Sequence, residues 1–381
     1  MSMKDRAEQA FDAVQSELHT ISQWMYDNPE TAFEEFAISA RLASFLGQNG
    51  FTVDYPAWGL ETCFDAVAGS GGPEVIICAE YDALPEVGHA CGHNIIAAAA
   101  LGAGVALASV ADELAIRIRV LGTPAEEAYG GKVDLINAGA FKSGTVAMMI
   151  HPAPHDVVDP NFLAVAHIDI EFTGKESHAS FAPQLGVNAL DAAVQAYNNV
   201  SMLRQAIYPT DKIHGVITYG GGVPNVIPAF TSMSWYVRAA TKERLDELYA
   251  QVIACFEAAA TATRNTLEVK SRGHVYKDIQ NNKVMADLYA DNSASLGRTM
   301  GRGADYDPSA AGSTDMGNVS HELPTIHPML DIHSNGAVNH QKEFAAHTTT
   351  ADGQQAIRDG ALAMAYTAID LAEGDRWEEL G

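Results

Sequence analysis

Apolar residues recur at helical spacing in two stretches near the start of the chain. The first carries Phe11, Val14, Leu18 and Ile21, the second Phe36, Ile38, Leu42 and Leu46. Positions three, four and seven apart share one face of an α-helix, so both stretches predict amphipathic helices. A different pattern follows. EVIICAEYDALP, residues 74–85, is an apolar run ending in a proline-bearing loop. LAIRIRVLGTPAEE alternates apolar and polar before Gly122 and Pro124, which predicts a strand and a turn. TVAMMIHPAP is another apolar run, and it stops at His151-Pro152. Between the first two runs, IIAAAALGAGVALASVA predicts a closely packed buried helix, too short and too rich in Ala and Gly for a membrane span of about 20 residues. Strands alternating with helices imply an α/β domain with a largely parallel sheet flanked by helices. Ligands of such sheets collect beyond the carboxyl ends of the strands. GHACGHN, PAEE and His151 all follow predicted strands.

Residues 163–275 obey another grammar. LAVAHIDIEFTG alternates like a half-exposed strand, and GVNALDAAVQAYNNVSMLRQ is an amphipathic helix. KIHGVITYG and TSMSWYVRAAT read as strands, ERLDELYAQVIACFEAAATAT as a helix and TLEVKSRG as a last strand. The order β-α-β-β-α-β is that of a ferredoxin-like α+β sandwich, a unit that can be inserted into another domain. Helical patterns then resume in NKVMADLYADNSASLG and AIRDGALAMAYTAIDLAEG. The expected organisation is therefore an α/β domain built from 1–162 and 276–381, interrupted by a smaller domain over 163–275. A length of 381 residues accords with two domains.

Composition narrows the function classes. The chain is 47% hydrophobic and 19% charged, the balance of a globular protein. Its 48 acidic and 23 basic residues give a formal net charge of −25. Such a surface repels nucleic acid and anionic membranes, so neither is an expected partner. Cys63, Cys78, Cys91 and Cys255 form no CxxC pattern, which signals neither a disulfide framework nor a structural zinc knuckle. MSMKDRAEQAFDAV lacks the apolar run of a signal peptide, and a cytoplasmic location is expected.

In GHACGHN a thiol and two imidazoles, His89, Cys91 and His93, occupy alternating positions. In an extended segment alternate side chains leave one face, so all three could enter one cavity. A metal nest, a nucleophilic cysteine with a histidine base and a coincidence of buried residues are all open. Thiolate, imidazole and carboxylate are the usual ligands of zinc and its borderline neighbours. Glu126 and Glu127 in GTPAEE, His151 in MMIHP and His340 in NHQKEF extend the set. Each alone says little; their joint placement after successive strands carries the argument.

The motifs AEYDALP…HACGHN, GTPAEE, IHP, GKESHAS, PNVIP, an arginine-bearing strand, STDMGN and NHQKEF follow in that order. Together they resemble the dinuclear metallo-amidohydrolases that include aminoacylases, hippurate hydrolases and plant indole-acetyl-amino-acid hydrolases. The branch of β-alanyl-lysine dipeptidase and the aminobenzoyl-glutamate hydrolase subunits is the most similar. The resemblance implies a catalytic α/β domain interrupted by a lid that also pairs two subunits. By it, Cys91, His93, Glu127, His151 and His340 match the metal ligands, with Cys91 bridging two divalent ions. Asp82 matches a carboxylate that orients a ligand imidazole through its other nitrogen. Glu126 matches the general base, free to take a proton because its neighbour binds the ion. In the lid, His178 matches a donor to the tetrahedral oxyanion, usually reaching across from the other protomer. Asn225 and Arg238 match residues that hold the substrate's end, expected to be a carboxylate. His89 is assigned support rather than ligation.

Two departures stand out. Asn94 replaces the Asp of many relatives, and Glu80-Tyr81 precedes Asp82 where Arg-Ala-Asp-Met is common. Neither removes a ligand. The expectation is a metal-dependent amidohydrolase, a homodimer through its lid, cleaving the amide bond of an N-acyl amino acid or an unusual dipeptide. Zinc is the first choice because a thiolate and imidazoles are present, with manganese, cobalt and nickel as alternatives. The rivals are an amidase with Cys91 as nucleophile and a non-catalytic subunit that only binds acylated amino acids.

Overall fold

The first apolar stripe forms α1 (Met3–Asp27), whose buried side includes Phe11, Leu18, Ile21 and Met25. Ser2 caps it, its hydroxyl accepting from the Asp5 amide while the Asp5 carboxylate accepts from the Ser2 amide. The second stripe forms α2 (Phe36–Gln48). Then come β1 (Thr52–Asp54), β2 (Asp65–Ala68) and β3 (Glu74–Ala79), the last buried along its whole length. The Ala- and Gly-rich run is α3 (His93–Ala108), buried on nearly every side. Its small residues are required by what packs on it. A Cβ at Gly102 would meet Phe11 Cε2 of α1 at 2.6 Å. Next are β4 (Arg117–Gly122), α4 (Gly131–Ala138), β5 (Val146–Met148) and β6 (His151–Ala153).

The chain then enters a ferredoxin-like unit. Its elements are β7 (Ala164–Thr173), the short β8 (Ser177–His178), α5 (Ala189–Leu203), β9 (Lys212–Tyr219), the short β10 (Val226–Ile227), β11 (Phe230–Ala239), α6 (Lys242–Thr263) and β12 (Thr266–Ser271). Sheet order is β12-β7-β11-β9, all antiparallel. Alternation along β7 and β11 puts Ile168, Ile170, Phe172, Met233, Trp235 and Val237 into one core with α5 and α6. β8 and β10 pair as a separate ribbon.

The return adds α7 (Lys283–Ser295), α8 (Met316–Ser320), β13 (Thr325–Ile326), β14 (Met329–Asp331), α9 (Lys342–His347) and α10 (Ala351–Glu373). The main sheet runs β1-β2-β4-β3-β5-β13, parallel from β4 to β13 and antiparallel at β1 and β2. The expected α/β class with a largely parallel sheet is what the chain adopts. One strand differs from its sequence pattern. TVAMMIHPAP is not continuous: β5 pairs with β13, and β6 pairs with β14 in a separate two-stranded sheet. The break falls opposite Pro328, between β13 and β14, which has no N–H to continue the ladder. His151 therefore opens a strand rather than ending one.

This computed structural model describes residues 1–307 and 311–380. They gather into two compact units: Met1–Asn161, Ile279–Tyr306 and Asp315–Gly381, and Phe162–Asp278 with Asp307–Thr314. No hydrophobic periodicity marks that second return to the smaller unit. Among the described residues, no helix is long and apolar enough to cross a membrane.

Candidate metal centre

GHACGHN is not the extended segment its alternation suggested. Gly92 adopts a left-handed conformation (φ 81°) and α3 begins at His93. A Cβ on Gly92 would meet Pro152 Cγ at 2.7 Å, so the turn lies pressed against β6. Cys91 and His93 thereby leave the backbone from a turn and from the first turn of a helix. His89 belongs to none of the metal-competent groups found among the described residues.

Asp82, just beyond β3, organises the next layer. Its Oδ1 lies 3.0 Å from His93 Nδ1, and its Oδ2 accepts the Glu127 amide at 2.9 Å. One buried carboxylate thus orients an imidazole and a backbone segment together, leaving His93 Nε2 for another partner. His151 Nδ1 donates to the Pro152 carbonyl at 2.8 Å, which likewise leaves Nε2 available. Asn339 Nδ2 donates to the same carbonyl at 3.0 Å, and the His340 amide donates to the Ala90 carbonyl at 2.9 Å. These bonds seat the C-terminal segment beside the HACGHN turn.

The donors converge. Cys91 Sγ lies 3.5 Å from His151 Nε2 and 3.6 Å from His340 Nε2. His340 Nε2 lies 3.7 Å from a Glu127 oxygen. Cys91, His93 and His151 form one group whose donor atoms lie within 4.8 Å of one another; Cys91, Glu127 and His340 form a second, sharing the thiol. A sulfur and a nitrogen on one tetrahedral zinc, at about 2.3 and 2.0–2.1 Å, are separated by roughly 3.5–3.6 Å. The Cys91 separations match that spacing. His93 Nε2, fully buried, has no hydrogen-bond partner among the described residues. A thiolate, three imidazoles and a carboxylate around such an orphaned nitrogen fit divalent ions of the zinc type.

Electrostatics in the metal-free protein point the same way. Burial and then Glu127 push the Cys91 thiol well up. Burial, then Glu80 and Glu127, push the Glu126 carboxyl up. Glu127 rises mainly through burial. Burial works against a charged His93, but Glu80 and Asp82 overcome it and raise its basicity. Burial lowers His151 to about 4, so its imidazole is neutral. Carboxylates crowded in a dry cavity resist ionising together, and a bound cation reverses that tendency.

Several neighbours carry no role that the sequence suggests. Glu80 is fully buried, with Oε1 2.5 Å from Lys132 Nζ. Lys132 also contacts Asp315 Oδ1 at 2.7 Å, and its amide donates to Asp315 Oδ2 at 2.9 Å. Glu35 accepts the Ala125 amide at 2.9 Å and the Thr62 hydroxyl at 3.0 Å. A wholly buried lysine is rare, but nothing in GGKVDLI announces one. Asp315 lies in STDMGN, whose order in the chain carries the resemblance but names no task for it. Asn94, where many relatives carry Asp, donates to Ser22 Oγ at 3.0 Å and Thr348 Oγ1 at 3.1 Å and so serves packing between helices.

In the smaller unit, His178 and Asn225 come together: β8 pairs with β10, and the Ala179 amide donates to the Asn225 carbonyl at 2.9 Å. His178 Nδ1 accepts the amides of Ser180 at 3.3 Å and Phe181 at 3.1 Å. That leaves the ring proton on Nε2. Arg238 lies on β11, with Nη1 2.6 Å from Ser313 Oγ and its guanidinium above the Tyr236 ring.

Comparison with known proteins bears on the whole chain. Residues 163–264 match the peptidase dimerisation domain. The chain is 39% identical to the Xaa-Arg dipeptidase of Mus musculus, over 97% of this chain and 89% of that protein. It is 31% identical to a p-aminobenzoyl-glutamate hydrolase subunit of Escherichia coli, over 68% of this chain and 59% of the relative. In structure it resembles a dinuclear metal-binding M20 peptidase of Bacillus subtilis, with TM-score 0.70 and 21% identity over 94% of this chain and 99% of the other. It also resembles an aminobenzoyl-glutamate utilization protein of Klebsiella pneumoniae, with TM-score 0.74 and 18% identity over 95% and 98%. The chain belongs to the M20 family of amidohydrolases. The resemblance drawn from the motifs therefore holds, in family and in fold.

Proposed function

We propose that the protein uses two divalent ions to hydrolyse the amide bond of an N-acyl amino acid or an unusual dipeptide. The observation that carries this reading is the sharing of Cys91 by two ligand groups. Cys91, His93 and His151 would hold one ion, and Cys91, Glu127 and His340 the other. Bound there, the ions supply Lewis acidity, polarising the scissile carbonyl and making an attacking water more acidic. Zinc is the first choice for this donor set, with manganese, cobalt and nickel as alternatives.

Glu126 takes the proton from the attacking water and delivers it to the leaving amine. Asp82 keeps His93 in the required tautomer. His178, carrying its proton on Nε2, is an oxyanion donor. Asn225 and the planar fork of Arg238 hold the substrate's end, a carboxylate. The dipeptidase and aminobenzoyl-glutamate hydrolase relatives act on amides of amino acids, which supports that substrate class.

A homodimer through the smaller unit accords with the dimerisation-domain match. It also explains apolar exposure there: β9 is an edge strand with Val216 and Tyr219 exposed, and Phe181 is 86% exposed. The location is cytoplasmic. A Cys91 nucleophile is disfavoured, because burial raises the thiol where a nucleophile needs it lowered.

The test is metal analysis with chelation, re-addition of ions and turnover across N-acyl amino acids and dipeptides. Loss on chelation and recovery on re-addition are expected. Undiminished turnover after complete metal removal would falsify the mechanism and restore the cysteine reading. Unchanged turnover of Glu126→Gln would remove Glu126 as base. No turnover of any amide by the metal-loaded protein would favour a purely ligand-binding role.

A further inference from the structure

Glu80 sits where the family's motif resemblance assigns no ligand, yet its surroundings are those of one. Both the Glu80 and His93 side chains are closed to solvent. Lys132 Nζ holds Oε1, and Asp315 holds Lys132 in turn through its ammonium and its amide. This clamp fixes the carboxylate plane and turns Oε2 toward His93 Nε2 at 3.3 Å. Neither Oε2 nor Nε2 has a hydrogen-bond partner among the described residues. The two buried polar atoms face each other at 3.3 Å, and a cation bound beside both, off the line that joins them, would give each a partner.

The spacing decides between the nearby carboxylates. Two donors at about 2.0–2.1 Å from one tetrahedral ion lie roughly 3.3–3.4 Å apart. Glu80 Oε2 meets that spacing from His93 Nε2. Glu127 Oε1 at 3.8 Å and Glu126 Oε2 at 4.0 Å from the same nitrogen lie farther out. Glu80, His93 and Glu126 also satisfy the proximity expected of a metal-competent group. Once an ion occupies His93 Nε2, that nitrogen has no proton to offer Glu80. Glu80 Oε2 would then be buried with no donor to accept from, a costly arrangement unless the ion itself takes the oxygen.

We propose that Glu80 Oε2 is an additional ligand of the ion held by His93, with Lys132 and Asp315 as the residues that position it. This deepens the binuclear reading and rests on it. The added oxygen is a hard donor in a set otherwise dominated by sulfur and nitrogen, and it shifts that one site toward manganese relative to zinc. The second group, Cys91 with Glu127 and His340, gains nothing from Glu80.

The test uses the full chain stripped with chelator and reloaded with zinc or manganese alone. Bound ions are counted by mass spectrometry and their affinities read by competition with a chromophoric chelator. Wild type should bind two ions. Glu80→Gln, which keeps shape and removes charge, should weaken one ion by about 10–100-fold, more for manganese than for zinc, and leave the other unchanged. Equal affinities in Glu80→Gln and wild type for both ions overturn the proposal. Should the variant not fold, anomalous diffraction from wild-type crystals soaked in manganese decides directly. An ion within about 2.0–2.2 Å of Glu80 Oε2 upholds it, and a separation beyond about 3 Å overturns it. Fewer than two ions in wild type would instead sink the binuclear reading itself.

Discussion

Asp82 and His93 meet at 3.0 Å, carboxylate oxygen to Nδ1, with both side chains closed to solvent. The other Asp82 oxygen accepts the Glu127 amide. The Asp82 carboxyl stays below its ordinary range although burial opposes this, because the His93 hydrogen bond and charge outweigh it. Asp82→Asn keeps the shape and removes the charge. Metal affinity should fall about 10–100-fold, and excess ion in the assay should restore part of the turnover. A variant that binds ions as wild type does would remove Asp82 from this orienting role.

Cys91 belongs to both ligand groups and His340 to one. Cys91→Ala should therefore weaken both ions, and His340→Ala only one. Metal stoichiometry against free ion concentration separates the outcomes. Identical loss patterns for the two variants would argue against a shared thiolate.

Glu126→Gln should retain both ions while turnover drops by roughly 10²–10⁴-fold, the usual contribution of a positioned acid-base group. Steady-state kinetics on metal-loaded protein provides the measurement. A loss confined to KM would recast Glu126 as a binding group.

Glu35 gives a pH signature in the chelated protein. Burial, and then Asp82, push its carboxyl up to about 7. Between an unfolded value of about 4.3 and that folded value, the native state keeps a proton that the unfolded chain has released. Stability from this group is therefore complete below the lower value and lost as pH rises through the upper one. Glu35→Gln does not titrate. Its stability relative to wild type should increase between about pH 5 and pH 8, by on the order of 3 kcal/mol. Urea unfolding at several pH values follows the difference; a flat difference would contradict the shift.

Gly102 is a packing requirement. Any Cβ there meets Phe11 and Leu18 of α1 within 3.0 Å. Gly102→Val should destabilise by about 1–3 kcal/mol or more through overpacking, seen as a lower urea midpoint. Unchanged stability would mean that α1 and α3 are free to separate.

Much of the fold is legible in the order of residues. The stripe of Phe11, Leu18 and Ile21, the run of β3 and the alternation of β7 and β11 each reflect a local period, 3.6 or 2 residues, that short stretches carry by themselves. The division of TVAMMIHPAP into β5 and β6 is not legible there. It depends on Pro328, which lies in a different part of the chain. The alternation of His89, Cys91 and His93 misleads for a related reason: Gly92 turns the backbone to suit Pro152, a neighbour the motif does not contain.

Residue types and local periods thus settled most of the secondary elements, the α/β class with its inserted sandwich and the kinds of donor available, because these follow from short-range sterics and side-chain chemistry. Tertiary structure alone decided which donors meet. Cys91 and His340 stand 249 positions apart and come within 3.6 Å. Lys132 reaches Glu80 and Asp315 across 52 and 183 positions. Those approaches depend on how strands and helices stack, and a buried charge declares itself only when its partners are in place.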